Sequence, residues 1–144
     1  MKVRRQARVL ALQALFEVDS VDHAAKQVLA QRLEQSSLPP EGQAFATRLV
    51  EGVLEHRPDL DRVITGIATD WPLDQMAIID RNILRIAVFE IMVDHETPVK
   101  VAINEAVELA KCFGSDSSQR FVNGVLGTLV SGPGGVLAEP GSRR

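Results

Sequence analysis

At 144 residues and 45% apolar content, the chain is long enough to bury a core of its own and most simply forms one domain. Aromatics make up only 4%, so that core is aliphatic, and the single cysteine, Cys112, excludes an internal disulfide and a cysteine-built zinc site. The net charge of −3 is unevenly spread: the first 16 residues hold Lys2, Arg4, Arg5 and Arg8 and no acid, while the remaining 128 carry 12 bases against 19 acids, a net −7. An acidic body with one basic end has one obvious place for a polyanion. Gln13 and Glu17 interrupt any signal-peptide apolar region. The longest uncharged run, 121–138, is broken by Asn, Gly and Pro and fails as a membrane span, so the chain reads as cytosolic with no membrane partner.

Taken in order, residues 3–18 read as a first helix whose apolar face is Ala7, Leu10, Ala11, Ala14, Leu15 and Val18. Arg4, Arg5 and Arg8 cluster on its first two turns, partly off that face. A helix N-terminus prefers acids, so three arginines there cost a few tenths of a kcal/mol each (order-of-magnitude) unless an anion binds. The alternative is a solvated basic end or salt bridges to the acidic body. After a turn at 19–23, a second helix at about 24–35 turns Ala25, Val28, Leu29 and Leu33 inward. Pro39 and Pro40 mark a stiff loop. A third helix at about 42–56 carries Phe45, Leu49, Val50 and Val53, and Arg57-Pro58 is expected to end it. A short fourth helix holds Leu60, Val63, Ile64 and Ile67, before Asp70-Trp71-Pro72 turns the chain.

The fifth helix, about 73–93, is the most apolar element, with only Arg85 and Glu90 polar between Ile83 and Val93. It is expected to be surrounded by others. Its two charges must satisfy each other or neighbouring groups. Asp80 is less easily explained by packing and is expected to face a partner. A sixth helix, 99–113, shows a stripe of Val99, Ile103, Ala106, Ala110 and Phe113, with Lys100, Asn104, Glu108 and Lys111 on the wet side. Thr97-Pro98 suits its start, and a left-handed Gly114 suits its end. Ser115 and Asp116 then offer caps for a seventh helix with Phe121, Val122, Val125 and Leu129 inward. Gly124 and Gly127 within it cost roughly 1 kcal/mol each against Ala and read as sites of close helix approach. Beyond Val130 no periodicity survives, and 131–144 reads as a flexible Gly/Pro-rich tail.

Catalytic signals are weak. His23, His56 and His95 sit near helix ends, with no partner at i+4 to make a metal pair, and no phosphate-binding or nucleophile-elbow motif is present. Cys112 is expected as a buried thiol. The sequence therefore points to no enzyme, no catalytic residue, no metal and no cofactor. Nucleic-acid binding is better supported, since Arg4, Arg5 and Arg8 can neutralise phosphates and stack on or hydrogen-bond unpaired bases. Phe16, Phe45, Phe89 and Phe113 are expected in the core. Phe121, beside Arg120, is either core or a base-stacking edge.

Four blocks then resemble the NusB family of bacterial transcription antitermination factors. They are R-R-Q-A-R at 4–8 with A-L-Q-A-L-F following, D-R-N-I-L-R-I-A-V-F-E at 80–90, P-V-K-V-A-I-N-E-A-V-E-L-A-K at 98–111, and F-V-N-G-V-L at 121–126. The resemblance covers about residues 3–130. It implies an all-α fold, a compact seven-helix bundle in two helical subdomains, as a single RNA-binding domain over 1–130. It also implies binding to the boxA element of nascent ribosomal RNA leaders, together with the ribosomal protein NusE. NusA, NusG and RNA polymerase would complete the complex, and some family members form a homodimer through the RNA-binding face.

By this resemblance the RNA-binding residues are Arg4, Arg5, Gln6 and Arg8, with Ser117, Gln119, Arg120 and Phe121 at the start of the last helix. The partner face maps to Asp80, Arg81 and Phe16, the last standing where relatives often have Tyr. The 115–121 turn is expected to lie near the N-terminal arginines. Two other readings stand beside this one. One is a protein-only adaptor in the elongation complex. The other is an RNA-modifying enzyme, for which the chain lacks the methyl-donor domain and catalytic cysteines.

Overall fold

Leucines, valines and alanines recurring at three and four residues produce one helix after another, and the computed structural model, which describes residues 3–132, is all-α over that range. The elements are α1 (Val3–Val21), α2 (Ala25–Gln35), α3 (Pro40–Ile67), a 3-10 turn at Leu73–Gln75, α4 (Ile78–Phe89), a π turn at Glu90–Asp94, α5 (Val99–Phe113) and α6 (Ser118–Ser131). Six α-helices stand among the described residues where seven were expected. The expected third and fourth are one helix, because α3 runs through Pro58. Proline removes one backbone hydrogen bond there. Against that loss, Leu49, Val53, Leu60 and Ile64 keep a single helical phase across the proline, and all four are buried. Of the expected tail at 131–144, Ser131 closes α6 and the residues from 133 on lie outside the described residues.

The chain divides at Arg57–Pro58 into two compact units. In the first, α1 packs on α2, burying Ala7, Leu10, Ala11, Ala14, Leu15, Val28 and Leu29. α1 runs further than expected, so the turn narrows to 22–24, where Asp22 adopts a left-handed φ of 52°. Pro40 occupies the first helical position of α3, where an N–H is not needed. Gly42 lets the starts of α1 and α3 approach: a Cβ there would lie 2.8 Å from Val3 Cγ1.

In the second unit α4, α5 and α6 pack on one another. From Asn82 to Ile91 every residue is buried, as the apolar run requires. The expected helix at 73–93 is nevertheless three pieces. The Leu73 carbonyl accepts the Met76 N–H at 3.2 Å and the Arg81 guanidinium at 3.1 Å, closing the 3-10 turn on itself. Met76 then runs extended before α4 begins. At the far end the His95 N–H reaches back to the Glu90 carbonyl at 3.0 Å, and His95 takes a left-handed φ of 59°. Glu90 points inward, 1% exposed, and its Oε1 accepts the Thr97 hydroxyl at 2.8 Å.

α5 is rotated from the expected stripe. Ala102, Ala106, Leu109 and Ala110 are buried, whereas Val99 and Ile103 are half-buried and Phe113 is 38% exposed. Packing against both α4 and α6 favours the face rich in alanine, which lets backbones come close. Cys112 is exposed rather than buried, since it lies off that face. Gly114 is extended (φ −90°, ψ −171°), not left-handed. Its need for glycine is steric, because a Cβ would meet Ser118 Cβ and Oγ at 2.4 Å. Ser118, fully buried, accepts the Ser115 N–H on its hydroxyl at 2.9 Å, while the Ser115 carbonyl accepts the Ser118 N–H at 3.1 Å. Gly124 and Gly127 are not contact sites: a Cβ at either meets nothing within 4 Å.

Candidate nucleic-acid interface

Three arginines of the first unit gather around one ring. The guanidinium carbons of Arg4, Arg8 and Arg48 lie 4.5, 5.1 and 5.1 Å from the centroid of Phe45, which is buried. Each is held by the electron-rich ring face. Arg4 and Gln6 are exposed, Arg5 is half-buried and Arg8 is 3% exposed. Arg8, expected among the phosphate contacts, is thus mostly enclosed beside Phe45. Phe16 is 38% exposed rather than core. A cleft of about 400 Å³ opens beside Gln6 and Gln13, lined also by Arg32, Gln35, Ser36 and Ser37. Near it, Glu17 is bonded to His23 at 2.8 Å and accepts from Arg32 at 3.0 Å. The His23 hydrogen bond, then Arg32, holds the Glu17 carboxyl below its ordinary range despite some desolvation.

In the second unit Ser117, Gln119 and Arg120 are exposed at the start of α6, and Phe121 is half-buried. Arg120 and Phe121 line two clefts, and Trp71, 54% exposed, lines both. One, about 300 Å³, includes Asp70, Gly124 and Thr128; the missing side chain of Gly124 helps open it. The other, about 430 Å³, includes Gln75, Met76, Ala77, Asp80, Ser115 and Ser117. Asp80, expected on a partner face, is 8% exposed, and Arg81 beside it is half-buried with its guanidinium on the Leu73 carbonyl. Trp71 at the two clefts and Arg48 beside Phe45 were not among the expected site residues, whereas Phe45 lies in the core as expected. A tryptophan before proline in a polar turn was the available signal for the first. The ring shared by Arg4, Arg8 and Arg48 had none, because it joins α1 to α3.

Among the described residues no group of three or more His, Cys, Asp or Glu is placed to hold a metal, and no helix is long and apolar enough to cross a membrane. The described residues are those of an all-helical protein with an arginine-rich N-terminal helix. Residues 5–131 match the NusB family model, and the chain belongs to the NusB family. It is 58% identical over 131 residues to the transcription antitermination protein NusB of Roseiflexus sp. (strain RS-1), covering 90% of this chain and 92% of that protein. The NusB protein of Chloroflexus aggregans is 55% identical over 130 residues, 89% of this chain and 87% of its own. Among solved structures, T. maritima NusB aligns with a TM-score of 0.80 at 32% identity, over 85% of this chain and 87% of that one. A chain from a structure of antitermination factors NusB and NusE in complex with dsRNA aligns at 0.80 and 23% identity, over 89% of this chain and 96% of that one, a likeness of fold. The family is one of antitermination factors rather than enzymes.

Proposed function

We propose that this chain is a cytoplasmic transcription antitermination factor that binds the boxA element of nascent ribosomal RNA leaders jointly with NusE. The observation that carries the reading is the convergence of Arg4, Arg8 and Arg48 on Phe45. It concentrates positive charge on an otherwise acidic chain. The family membership, and the co-occurrence of NusB, NusE and RNA in one solved relative, support it. Arg4, Arg5 and Gln6 offer phosphate and base contacts in the first unit, with Arg8 fixing the ring that positions Arg4. Ser117, Gln119, Arg120 and Phe121 offer a second contact surface. NusE is assigned to Phe16, Arg81 and the exposed edge of Asp80. NusA, NusG and RNA polymerase join through the resulting complex, and a homodimer is the competing state of the free protein.

The test is a boxA RNA titration of the chain alone and with NusE, at several salt concentrations. The chain alone binds modestly, NusE tightens binding, and affinity falls with salt. Arg5→Ala reduces the salt slope by about 1. Arg8→Ala lowers the melting temperature as well, because it empties a buried site. Absence of RNA binding both with and without NusE overturns the reading.

A further inference from the structure

α6 ends at Ser131, and Gly132 carries the chain onward in an extended conformation (φ −74°, ψ 175°). The backbone leaves pressed against Thr128: a Cβ on Gly132 would stand 2.5 Å from the Thr128 carbonyl oxygen and 3.2 Å from its Cγ2. Thr128 also lines the cleft of about 300 Å³ in the second unit. The lining of that cleft runs back along α6 through Gly124 and Phe121 to Arg120, and includes Ile67 and Trp71. Gly124 leaves open space there, since a Cβ on it meets nothing within 4 Å, and the Trp71 side chain is largely uncovered. The chain thus leaves α6 at one end of a groove that holds an exposed aromatic ring. Residues 133–144 lie outside the described residues and read P-G-G-V-L-A-E-P-G-S-R-R. Val136 and Leu137 are the large apolar side chains of this segment, and Glu139 is its acid.

We propose that the segment 133–139 folds back along α6 and covers this cleft, so that the chain shields Arg120, Phe121 and Trp71 with its own C-terminal residues. The lengths agree. Gly124 lies about 12 Å back along the helix axis from Gly132, and Phe121 about 17 Å. Extended chain advances about 3.3 Å per residue, which brings Val136 level with Gly124 and Leu137 level with Phe121. Glu139 is then within reach of the Arg120 guanidinium. Leu137 against Trp71 and Phe121 takes apolar surface out of water. The contacts are few, but a tethered segment meets its groove at an effective concentration on the order of millimolar, which a second copy of the chain does not reach in dilute solution. Arg120 and Phe121 belong to the proposed RNA surface, so segment and RNA exclude each other; this competition rests on the RNA-binding reading.

Trp71 is the chain's single tryptophan, so its fluorescence reports on the cleft alone. The test compares the full chain, the chain stopped after Gly132, and Leu137→Asp in the full chain, which keeps the segment but charges its apolar contact. Both changes shift Trp71 emission to the red and raise its quenching by acrylamide. Both also tighten binding of a boxA RNA by about threefold, as freeing a site covered about two thirds of the time requires. Emission and quenching unmoved by either change overturn the docking while RNA binding itself stands. Shielding of Trp71 that disappears on dilution of the full chain gives the cleft to a second copy and likewise overturns it. Trp71 uncovered with RNA affinity unchanged overturns the competition. Binding of RNA by none of the three removes the RNA reading and the competition with it, and the quenching then decides the docking by itself.

Discussion

The carboxylate of Asp61 grips the guanidinium of Arg85 at two points, Nε to Oδ1 at 2.8 Å and Nη2 to Oδ2 at 3.1 Å. Arg85 is 2% exposed, and its Nη1 donates to Asn82 Oδ1 at 3.2 Å. A charge this enclosed is tolerable only with such partners. Asp61→Ala strands it, and the expected loss is about 3 kcal/mol in urea unfolding. Asp59, paired with Arg62 on the surface with both side chains more than 70% exposed, is the control. Asp59→Ala leaves the midpoint where it was, because surface pairs contribute little. Equal midpoints for the two variants would show that the Asp61 grip stabilises nothing.

Two glycines separate steric need from helical cost. A Cβ at Gly114 collides with Ser118 and sits 2.8 Å from the Ala110 carbonyl. Gly114→Ala is expected to cost about 1–3 kcal/mol, since Ser118 is itself buried and cannot give way freely. Gly124→Ala meets nothing and gains helix propensity, so stability rises by roughly 0.5–1 kcal/mol. Denaturant midpoints of the two variants should move in opposite directions. A loss at Gly124 would restore the close-approach role read from its sequence position.

Glu17 supplies a pH dependence. Its carboxyl titrates below the ordinary 4.5 in the folded chain, first because His23 hydrogen-bonds it and then because Arg32 does. A carboxyl depressed by folding contributes stability that is fully present above its unfolded value. That stability is lost as the pH falls through the folded one. Glu17→Gln should therefore unfold more easily than the unaltered protein near neutrality, and the gap between them should shrink once the pH drops below 4.5. A gap that widens on acidification contradicts the assignment.

Much of this was legible in the residues themselves. The helices at the start of the chain, the enclosed run of α4 and the inward faces of Val122 and Val125 follow from apolar spacing, which is a local property. The basic N-terminal end and the family motifs were equally plain, because charge and wording need no third dimension. Pro58 misled because a local breaker was outweighed by apolar phase on both sides of it.

What only the tertiary structure decided concerns partners distant along the chain and rotations about a helix axis. Arg85 needed a counter-charge, and nothing in the sequence nominated Asp61, 24 residues away. α5 turned toward Ala102 and Leu109, carrying Phe113 and Cys112 outward, because its neighbours α4 and α6 set its rotation. The arginine cluster divided into an exposed Arg4 and an enclosed Arg8, since a ring on α3 closes over one side of α1. Helical period determines that a face exists. Only the packed neighbours determine which residues it hides and which it leaves exposed.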